Sequence, residues 1–225
     1  MRVSKIIAIF VPKLTPTTVH IVIAGNIGSG KTTLTTLLAR HYGWKPQFEA
    51  VDYNPYLDDY YKDIPRWSFA LEVYFLKQRF KDILEIGKSN QSVIQDRSIF
   101  EGVYVFTANN HAMGYLDDRD FECYMDLFDS MMAAVRVPDL MIYLKASIPH
   151  LVANIQKRGR DYEQQIQLDY LKNLNQLYDD FIYNNYKGKV LTVDVDNLDF
   201  LHRKADLAKI IQLIDTHLFG FFTEP

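Results

Sequence analysis

Eight consecutive residues near the start of the chain have the composition of a phosphate-binding loop. The segment GNIGSGKT, residues 25–32, matches the pattern G-x-x-x-x-G-K-[ST]. Its glycines let backbone N–H groups wrap around nucleotide phosphates, and the helix that follows directs its positive end at them. We expect Lys31 to reach the β and γ phosphates of ATP and the Thr32 hydroxyl to bind Mg²⁺. The predicted ATP-binding residues of this segment are Gly25, Asn26, Ile27, Gly28, Ser29, Gly30, Lys31, Thr32 and Thr33.

Two further charged segments have residue types that suit phosphate chemistry. The sequence DRS, residues 96–98, closes an apolar run, and RGR, residues 158–160, follows a helical pattern. A carboxylate such as Asp96 is well placed at a strand end to bind Mg²⁺, directly or through water. Arg158 and Arg160 suit a lid that closes over phosphates, although a basic helix end would look similar. A phosphate loop alone does not distinguish a kinase from a GTPase or a motor, and the chain has no NKxD guanine signature.

The elements that must position these residues alternate along the chain. Short apolar runs predict buried strands at residues 20–25, 92–96, 139–144 and 189–194, and FEAV at 48–51 is a candidate fifth. Helical spacing predicts one helix from Thr32 to Tyr42, capped by Gly43, and another from Pro65 to about Lys88. Strands that alternate with helices predict an α/β fold with a parallel sheet covered on both faces. Ligands then bind at the carboxyl ends of the strands, where the glycine-rich loop and DRS lie.

Length and composition are those of an ordinary globular protein. The chain has 225 residues, 48% of them hydrophobic and 24% charged, which favours one large domain. Its net charge of −3 disfavours binding to nucleic acid or to an anionic membrane. No apolar run approaches the roughly 18 residues that a membrane span needs. The single cysteine, Cys123, fits a reducing compartment, so we predict a cytoplasmic protein.

The first 18 residues are interpreted as an extension before a single domain at residues 19–225. Their basic start and the run IIAIFV look like a signal peptide, but the run is short and no small-residue cleavage site follows. Pro12 and Pro16 interrupt regular structure. Because a strand pattern begins immediately after this segment, we hypothesise that the natural product starts at Val19.

The order of the motifs resembles the deoxynucleoside kinase family. In chain order the segments are GNIGSGKTT, FEAVDYNP, RWSFALEVYFLKQRF, DRSIFEGVYVF, KRGRDYE and TVDVDNLDF. The resemblance covers residues 19 to about 218 and is greatest to a short bacterial branch that phosphorylates deoxyadenosine and deoxyguanosine. It implies that ATP, with Mg²⁺, phosphorylates the 5′-hydroxyl of a deoxynucleoside. It also implies a homodimer with a P-loop kinase fold, in which a five-stranded parallel sheet has helices on both faces and an arginine-bearing lid.

The resemblance implies catalytic roles for Glu49, Asp96 and Arg97. A 5′-hydroxyl is a poor nucleophile at neutral pH, so a carboxylate must hold it and finally accept its proton. Glu49 matches the family glutamate that contacts this hydroxyl, and Asp96 is a predicted metal ligand together with Thr32; either carboxylate can be the proton acceptor. Arg97 is expected to neutralise the charge that grows on the transferred group. The alternatives are an exposed loop glutamate at position 49 and a structural ion pair for Arg97.

Other residues match family positions that bind the sugar and the base. Tyr61 and Glu163 match the pair that binds the 3′-hydroxyl. Phe106 matches the aromatic residue that stacks on the base, although a core phenylalanine is the alternative. The predicted substrate-binding residues are Glu49, Tyr61, Glu72, Arg79, Arg97, Phe106 and Glu163.

Two departures from the family pattern bear on the choice of base. Helical spacing puts Glu72, Phe75 and Arg79 on one face of their helix, which can line a cleft. The position of Glu72 usually carries Gln, and that of Gly102 usually carries an Asp that supports the arginine. An ionised Glu72 only accepts hydrogen bonds, so it suits the imino and amino groups of guanine and opposes the ring acceptor of adenine or cytosine. We therefore expect a preference for deoxyguanosine, unless Glu72 only pairs with Arg79.

Two rival functions share the phosphate loop. A nucleoside monophosphate kinase would need a further cation near the phosphate of its acceptor. The carboxylate of Glu49 would repel that phosphate. A non-catalytic nucleotide-binding subunit with the same fold would have no need of intact catalytic residues. The retained Lys31, Asp96 and Arg97 argue against that alternative.

Overall fold

Five parallel strands form one sheet in the order β2-β3-β1-β4-β5. The computed structural model describes residues 18–49, 54–160 and 166–220, so the predicted extension, apart from Thr18, lies outside the described residues. The strands are β1 (His20–Gly25), β2 (Lys45–Gln47), β3 (Val93–Asp96), β4 (Leu140–Lys145) and β5 (Val190–Asp194). The predicted five-stranded parallel sheet is confirmed, and four strands lie within one residue of their predicted bounds.

The second strand differs from its prediction. The sequence favours FEAV, residues 48–51, but the strand ends at Gln47, and Phe48 and Glu49 follow it in irregular structure. β2 is an edge strand that contains Pro46 and lacks the alternation of apolar residues typical of strands. Its bounds are therefore set by its pairing with the buried strand β3 and not by a local sequence pattern. Glu49 consequently lies just past the carboxyl end of β2.

The helices connect successive strands. Their bounds are α1 (Lys31–Tyr42), α2 (Leu57–Lys62), α3 (Ile64–Lys88), α4 (Ile99–Glu101), α5 (Ala108–Ala112), α6 (Asp118–Met132), α7 (Ile148–Arg158), α8 (Leu168–Asp180) and α9 (Lys204–Phe219). A π-helical turn, Gly102–Thr107, joins α4 to α5, and another, Phe181–Asn185, extends α8. The two long predicted helices are confirmed as α1 and α3. Gly43 ends α1 in the left-handed conformation, with φ of 67°, and its N–H donates to the carbonyl oxygen of Ala39.

The sheet is covered on both faces because residues of β1 alternate between two cores. Ile21 and Ile23 pack with residues of α1 and α9, whereas Val22 and Ala24 pack with residues of α3, α6 and α8. All six residues of β1 are buried, as expected for a central parallel strand. Among the described residues, no helix combines the length and the apolar composition that crossing a membrane requires.

Candidate active site

The phosphate loop follows β1 directly and ends at the first turn of α1. Gly28 and Gly30 have φ of 85° and 93°, in the left-handed region that favours glycine. A Cβ atom at Gly28 would lie 2.7 Å from the carbonyl oxygen of Leu151, and one at Gly30 would lie 2.9 Å from the ring of Phe200. The packing around this loop therefore requires glycine at both positions, in agreement with the motif.

Lys31 places a positive charge inside the phosphate loop. Its side chain is buried, and Nζ donates a hydrogen bond to the carbonyl oxygen of Asn26 at 2.9 Å. Burial, together with the positive charge of Arg97, lowers the pKa of Lys31 to about 8. The ammonium group is still largely charged at neutral pH, as the contact with nucleotide phosphates that the motif predicts requires.

Thr32 and Asp96 bring two oxygen donors together. The Thr32 hydroxyl donates a hydrogen bond to Asp96 Oδ2 at 2.5 Å, although the residues lie on α1 and at the end of β3. Mg²⁺ prefers such oxygens and usually takes its other ligands from water and substrate phosphates. No cluster of three or more His, Cys, Asp or Glu side chains that could hold a metal ion is present in the described part of the chain. The pair fits a magnesium ion that arrives with a nucleotide.

Arg97 turns the chain sharply after β3. Its φ of 69° is the only positive value of a non-glycine residue in the described ranges, a conformation that costs roughly 1–2 kcal/mol. The guanidinium carbon lies 4.4 Å from the ring centroid of Phe106, and Nε lies 3.5 Å from Glu49 Oε2. Burial by itself would lower the pKa of Arg97, but the negative charge of Glu49 raises it above the usual range. Arg97 is therefore a permanent cation held between a ring and a carboxylate.

Glu49 is a half-buried carboxylate between two arginines. One oxygen accepts a hydrogen bond from Arg79 Nη2, and the other faces Arg97. Burial by itself would raise the pKa of Glu49, but the positive charges of Arg97 and Arg79 lower it to about 2. Glu49 is thus ionised throughout the physiological range. It is not an exposed loop glutamate.

Glu72 is buried in the wall of the cleft, on α3. Its two carboxylate oxygens accept hydrogen bonds from the Thr107 hydroxyl at 3.1 Å and from Asn110 Nδ2 at 3.0 Å. Burial raises the pKa of Glu72 to about 7, against the opposing charge of Arg79. The carboxyl is therefore partly protonated at neutral pH, whereas the sequence argument treated it as ionised.

Arg79 occupies the space that a side chain at Gly102 would need. A Cβ atom at Gly102 would lie 2.6 Å from Arg79 Nη1. The guanidinium also lies over the ring of Phe75, with its central carbon 5.0 Å from the ring centroid. The ion pair that Arg79 makes is with Glu49, and not with Glu72 as the sequence alternative suggested.

Two cavities meet at the phosphate loop. The first has a volume of about 310 Å³ and lies on the side of Glu49, Glu72 and Phe106. The second has a volume of about 630 Å³ and extends along the phosphate loop to residues 198–202. The residues that line both cavities are Gly28, Lys31, Thr32, Arg158 and Arg160. This arrangement can hold two ligands end to end, with cations where they meet.

Comparison with known proteins decides the family. The model of the family "Deoxynucleoside kinase" matches residues 21–219. The chain belongs to the deoxynucleoside kinase family. It is similar to two proteins of Bacillus subtilis: a deoxyadenosine/deoxycytidine kinase, 34% identical with 86% of this chain and 90% of the relative covered, and a deoxyguanosine kinase, 37% identical with 84% and 93% covered. It also resembles the structure of deoxyadenosine kinase from M. mycoides with bound dATP, with a TM-score of 0.78, 29% identity, and 87% and 98% of the two chains covered. The predicted family, the kinase activity and the P-loop kinase fold are confirmed.

The first cavity of this kinase brings together most residues predicted for acceptor binding and catalysis. They are Glu49, Tyr61, Glu72, Phe75, Arg79, Asp96, Arg97 and Phe106. Arg158 ends α7, Gly159 follows with φ of 67°, and Arg160 comes next, so the predicted lid arginines flank a left-handed turn. Glu163 lies outside the described residues, and its contact with the sugar stays a prediction.

Sequence reasoning missed the residues that hold Glu72. Thr107 and Asn110 are buried polar residues that follow the apolar run VYVF, residues 103–106. Asn110 also accepts a hydrogen bond from the Tyr60 hydroxyl at 3.2 Å, through Oδ1. Polar side chains next to an apolar helical run are informative, because burial requires them to find partners. That signal was present in the sequence.

Proposed function

We propose that this kinase transfers the γ-phosphoryl group of ATP to the 5′-hydroxyl of a purine deoxynucleoside. The observation that carries the proposal is the pair of cavities with a shared cationic wall. The nucleoside occupies the smaller cavity and ATP the larger one. The phosphoryl group then passes along the shared wall, near Lys31 and Arg97.

Glu49 holds the attacking hydroxyl in this proposal. A carboxylate with a pKa of about 2 accepts a hydrogen bond well but takes up a proton only late in the reaction. Phosphoryl transfer has a loose transition state, so the proton need not leave early. Its final acceptor is Glu49 or Asp96. Arg97 and Lys31 neutralise the charge that moves with the phosphoryl group.

Thr32 and Asp96 are the residues that would hold Mg²⁺. The ion would neutralise phosphate charge, as in other phosphoryl-transfer enzymes. Thr32 lies at the start of α1 and Asp96 at the end of the neighbouring strand, so both oxygens lie beside the loop that binds the nucleotide. Arg158 and Arg160 close over the phosphates from the opposite side.

The base is held between Phe106 and the polar wall made by Glu72 and Arg79. An ionised Glu72 accepts hydrogen bonds from guanine, which supports deoxyguanosine as the preferred substrate. A protonated Glu72 can also donate to adenine, so deoxyadenosine remains a second substrate. Tyr61 and Glu163 bind the sugar 3′-hydroxyl, as the family resemblance implies.

The proposal includes a cellular compartment and an oligomeric state. The use of ATP and the single cysteine support a cytoplasmic enzyme. The family resemblance supports a homodimer with one catalytic domain, residues 19–225, in each protomer.

A coupled assay of ADP release tests the function directly. Purified enzyme is given ATP and Mg²⁺ with deoxyguanosine, deoxyadenosine, dGMP or dTMP, and the product is identified by mass. We expect ADP and a 5′-monophosphate from the two nucleosides and no turnover of the monophosphates. Lys31→Met serves as the blank for contaminating kinases. Turnover of monophosphates alone would indicate a monophosphate kinase, and no turnover of any acceptor would indicate a nucleotide-binding subunit.

A further inference from the structure

Glu101 is a fully buried carboxylate whose hydrogen bonds reach three separate segments. Oε1 accepts from the backbone N–H of Gly25 at 3.3 Å and from the Tyr178 hydroxyl at 2.8 Å. Oε2 accepts from the backbone N–H of Ser98 at 2.7 Å. The Ser98 hydroxyl in turn accepts from the Glu101 N–H at 3.3 Å, which completes a capping box at α4. One side chain therefore joins the phosphate loop, the turn after β3 and α8.

These contacts lie just past the point where the sheet stops connecting the phosphate loop, which follows β1, with the turn that follows β3. The parallel pairing of β1 with β3 ends at Ile23 and Asp96. The last backbone bond between the segments runs from the Arg97 N–H to the carbonyl oxygen of Ile23, at 3.0 Å. Beyond that bond, the Glu101 carboxylate connects Gly25, the first residue of the phosphate loop, with Ser98, the residue after Arg97.

The turn that Glu101 holds is a costly one. Arg97 adopts a left-handed φ, which persists in a non-glycine residue only where the surroundings enforce it. The capping box fixes the residue that directly follows Arg97. A second connection runs through Tyr178, whose ring meets that of Phe106 edge to face at 6.5 Å, while Phe106 lies beneath the Arg97 guanidinium.

The negative charge of Glu101 also interacts with two nearby cations, Lys31 and Arg97. Its negative charge favours the protonated forms of both Lys31 and Arg97. A buried carboxylate is costly unless it has hydrogen-bond donors and nearby cations, and Glu101 has both. Glu101 itself lines neither of the two cavities, so it acts through other residues.

We propose that Glu101 is a positioning residue for phosphoryl transfer and that it holds Arg97 in a fixed position relative to the phosphate loop. The inference rests on the proposed function of the site. Because Glu101 lines neither cavity and so would not touch a ligand bound there, its loss should slow the chemical step and leave binding of the nucleoside nearly unchanged.

Glu101→Gln is the direct test. An amide has only one oxygen, so the N–H of either Gly25 or Ser98 must face an NH₂ group and lose its acceptor. We expect kcat to fall about 10- to 100-fold, as misplacement of a reacting group does, while KM for the nucleoside stays within about twofold. Asp139→Asn is the matched control, because Asp139 accepts from the His20 N–H at 2.8 Å, at the opposite end of β1. The control should keep the wild-type kcat.

Each outcome is decisive. If the wild type is active and Glu101→Gln keeps its full kcat, the inference is overturned and the proposed function stands. The same holds if Asp139→Asn loses as much kcat as Glu101→Gln. It also holds if KM in Glu101→Gln rises by as large a factor as kcat falls. A wild type that phosphorylates no deoxynucleoside overturns the proposed function, and the inference with it. If Glu101→Gln does not fold by circular dichroism, Tyr178→Phe decides: a kcat reduced at unchanged KM supports the inference, and a wild-type kcat overturns it.

Discussion

Glu49 and Arg79 form a partly buried ion pair, although their positions in the sequence differ by 30. Arg79 lies on the long helix α3 and Glu49 lies past the end of β2, and both line the smaller cavity. The pair therefore connects the residues proposed to read the base with the residue proposed to hold the 5′-hydroxyl. Under the proposed function, one contact therefore joins base recognition to catalysis.

Replacement of Arg79 tests this connection. In Arg79→Gln, Glu49 loses one of its two ion-pair partners, so we expect kcat/KM to fall about 100-fold. The free energy of unfolding should fall by about 2–4 kcal/mol, because a buried charge loses a partner. Steady-state kinetics and urea unfolding measure the two effects. Lys77→Gln, an exposed position on the same helix, is the control, and equal losses in both variants would contradict the assigned role.

Lys31 should be essential for turnover but not for folding. Lys31→Met keeps the volume of the side chain and removes its charge, so we expect kcat to fall about 100- to 1,000-fold with a circular dichroism spectrum like that of the wild type. The comparison variant is Lys88→Met, at the exposed far end of α3. Turnover at the wild-type rate in Lys31→Met would refute the phosphate-loop assignment.

The preference between guanine and adenine should depend on pH. With a pKa of about 7, Glu72 is mostly protonated below that pH and can donate to the ring acceptor of adenine. Above it the carboxylate accepts from the imino and amino groups of guanine. The ratio of kcat/KM for deoxyguanosine to that for deoxyadenosine should therefore rise with pH, by about tenfold between pH 6 and 8.

Glu72→Gln provides the control for this pH dependence. An amide does not titrate, and neither base titrates in this range, so the ratio should be flat with pH and should favour deoxyadenosine. A flat ratio in the wild type, or the same slope in both proteins, would show that Glu72 does not read the base.

Gly102 should be required for the position of Arg79 rather than for the fold. Its φ of −53° is helical, so alanine suits the backbone, but the new Cβ would displace the Arg79 guanidinium. We expect Gly102→Ala to lower kcat/KM about 10- to 100-fold with little change in Tm. Gly87→Ala, where a Cβ meets nothing within 4 Å, is the matched control and should keep full activity. A fully active Gly102→Ala enzyme would contradict the proposal.

The parts of the site that sequence could predict are those with local patterns. Gly28, Gly30 and Lys31 lie at fixed spacings between a strand and a helix, and the structure has them there. The partner of Arg79 could not be predicted, because Glu49 follows an edge strand that pairing with β3 defines. The pKa of Glu72 depends on its burial and its neighbours, which no local pattern specifies. The contact of Glu101 with Gly25 could not be predicted either, because only the fold brings these two residues together.

Under the proposed function, the wall shared by the two cavities would link the binding of the two substrates thermodynamically. Arg158 and Arg160 line both cavities, so under the proposed function a nucleotide in the larger cavity would contact residues that also border the smaller one. Linkage requires reciprocity: whatever factor ATP applies to the affinity for the nucleoside, the nucleoside applies to the affinity for ATP. A dissociation constant for either ligand has a defined meaning only when the concentration of the other is stated.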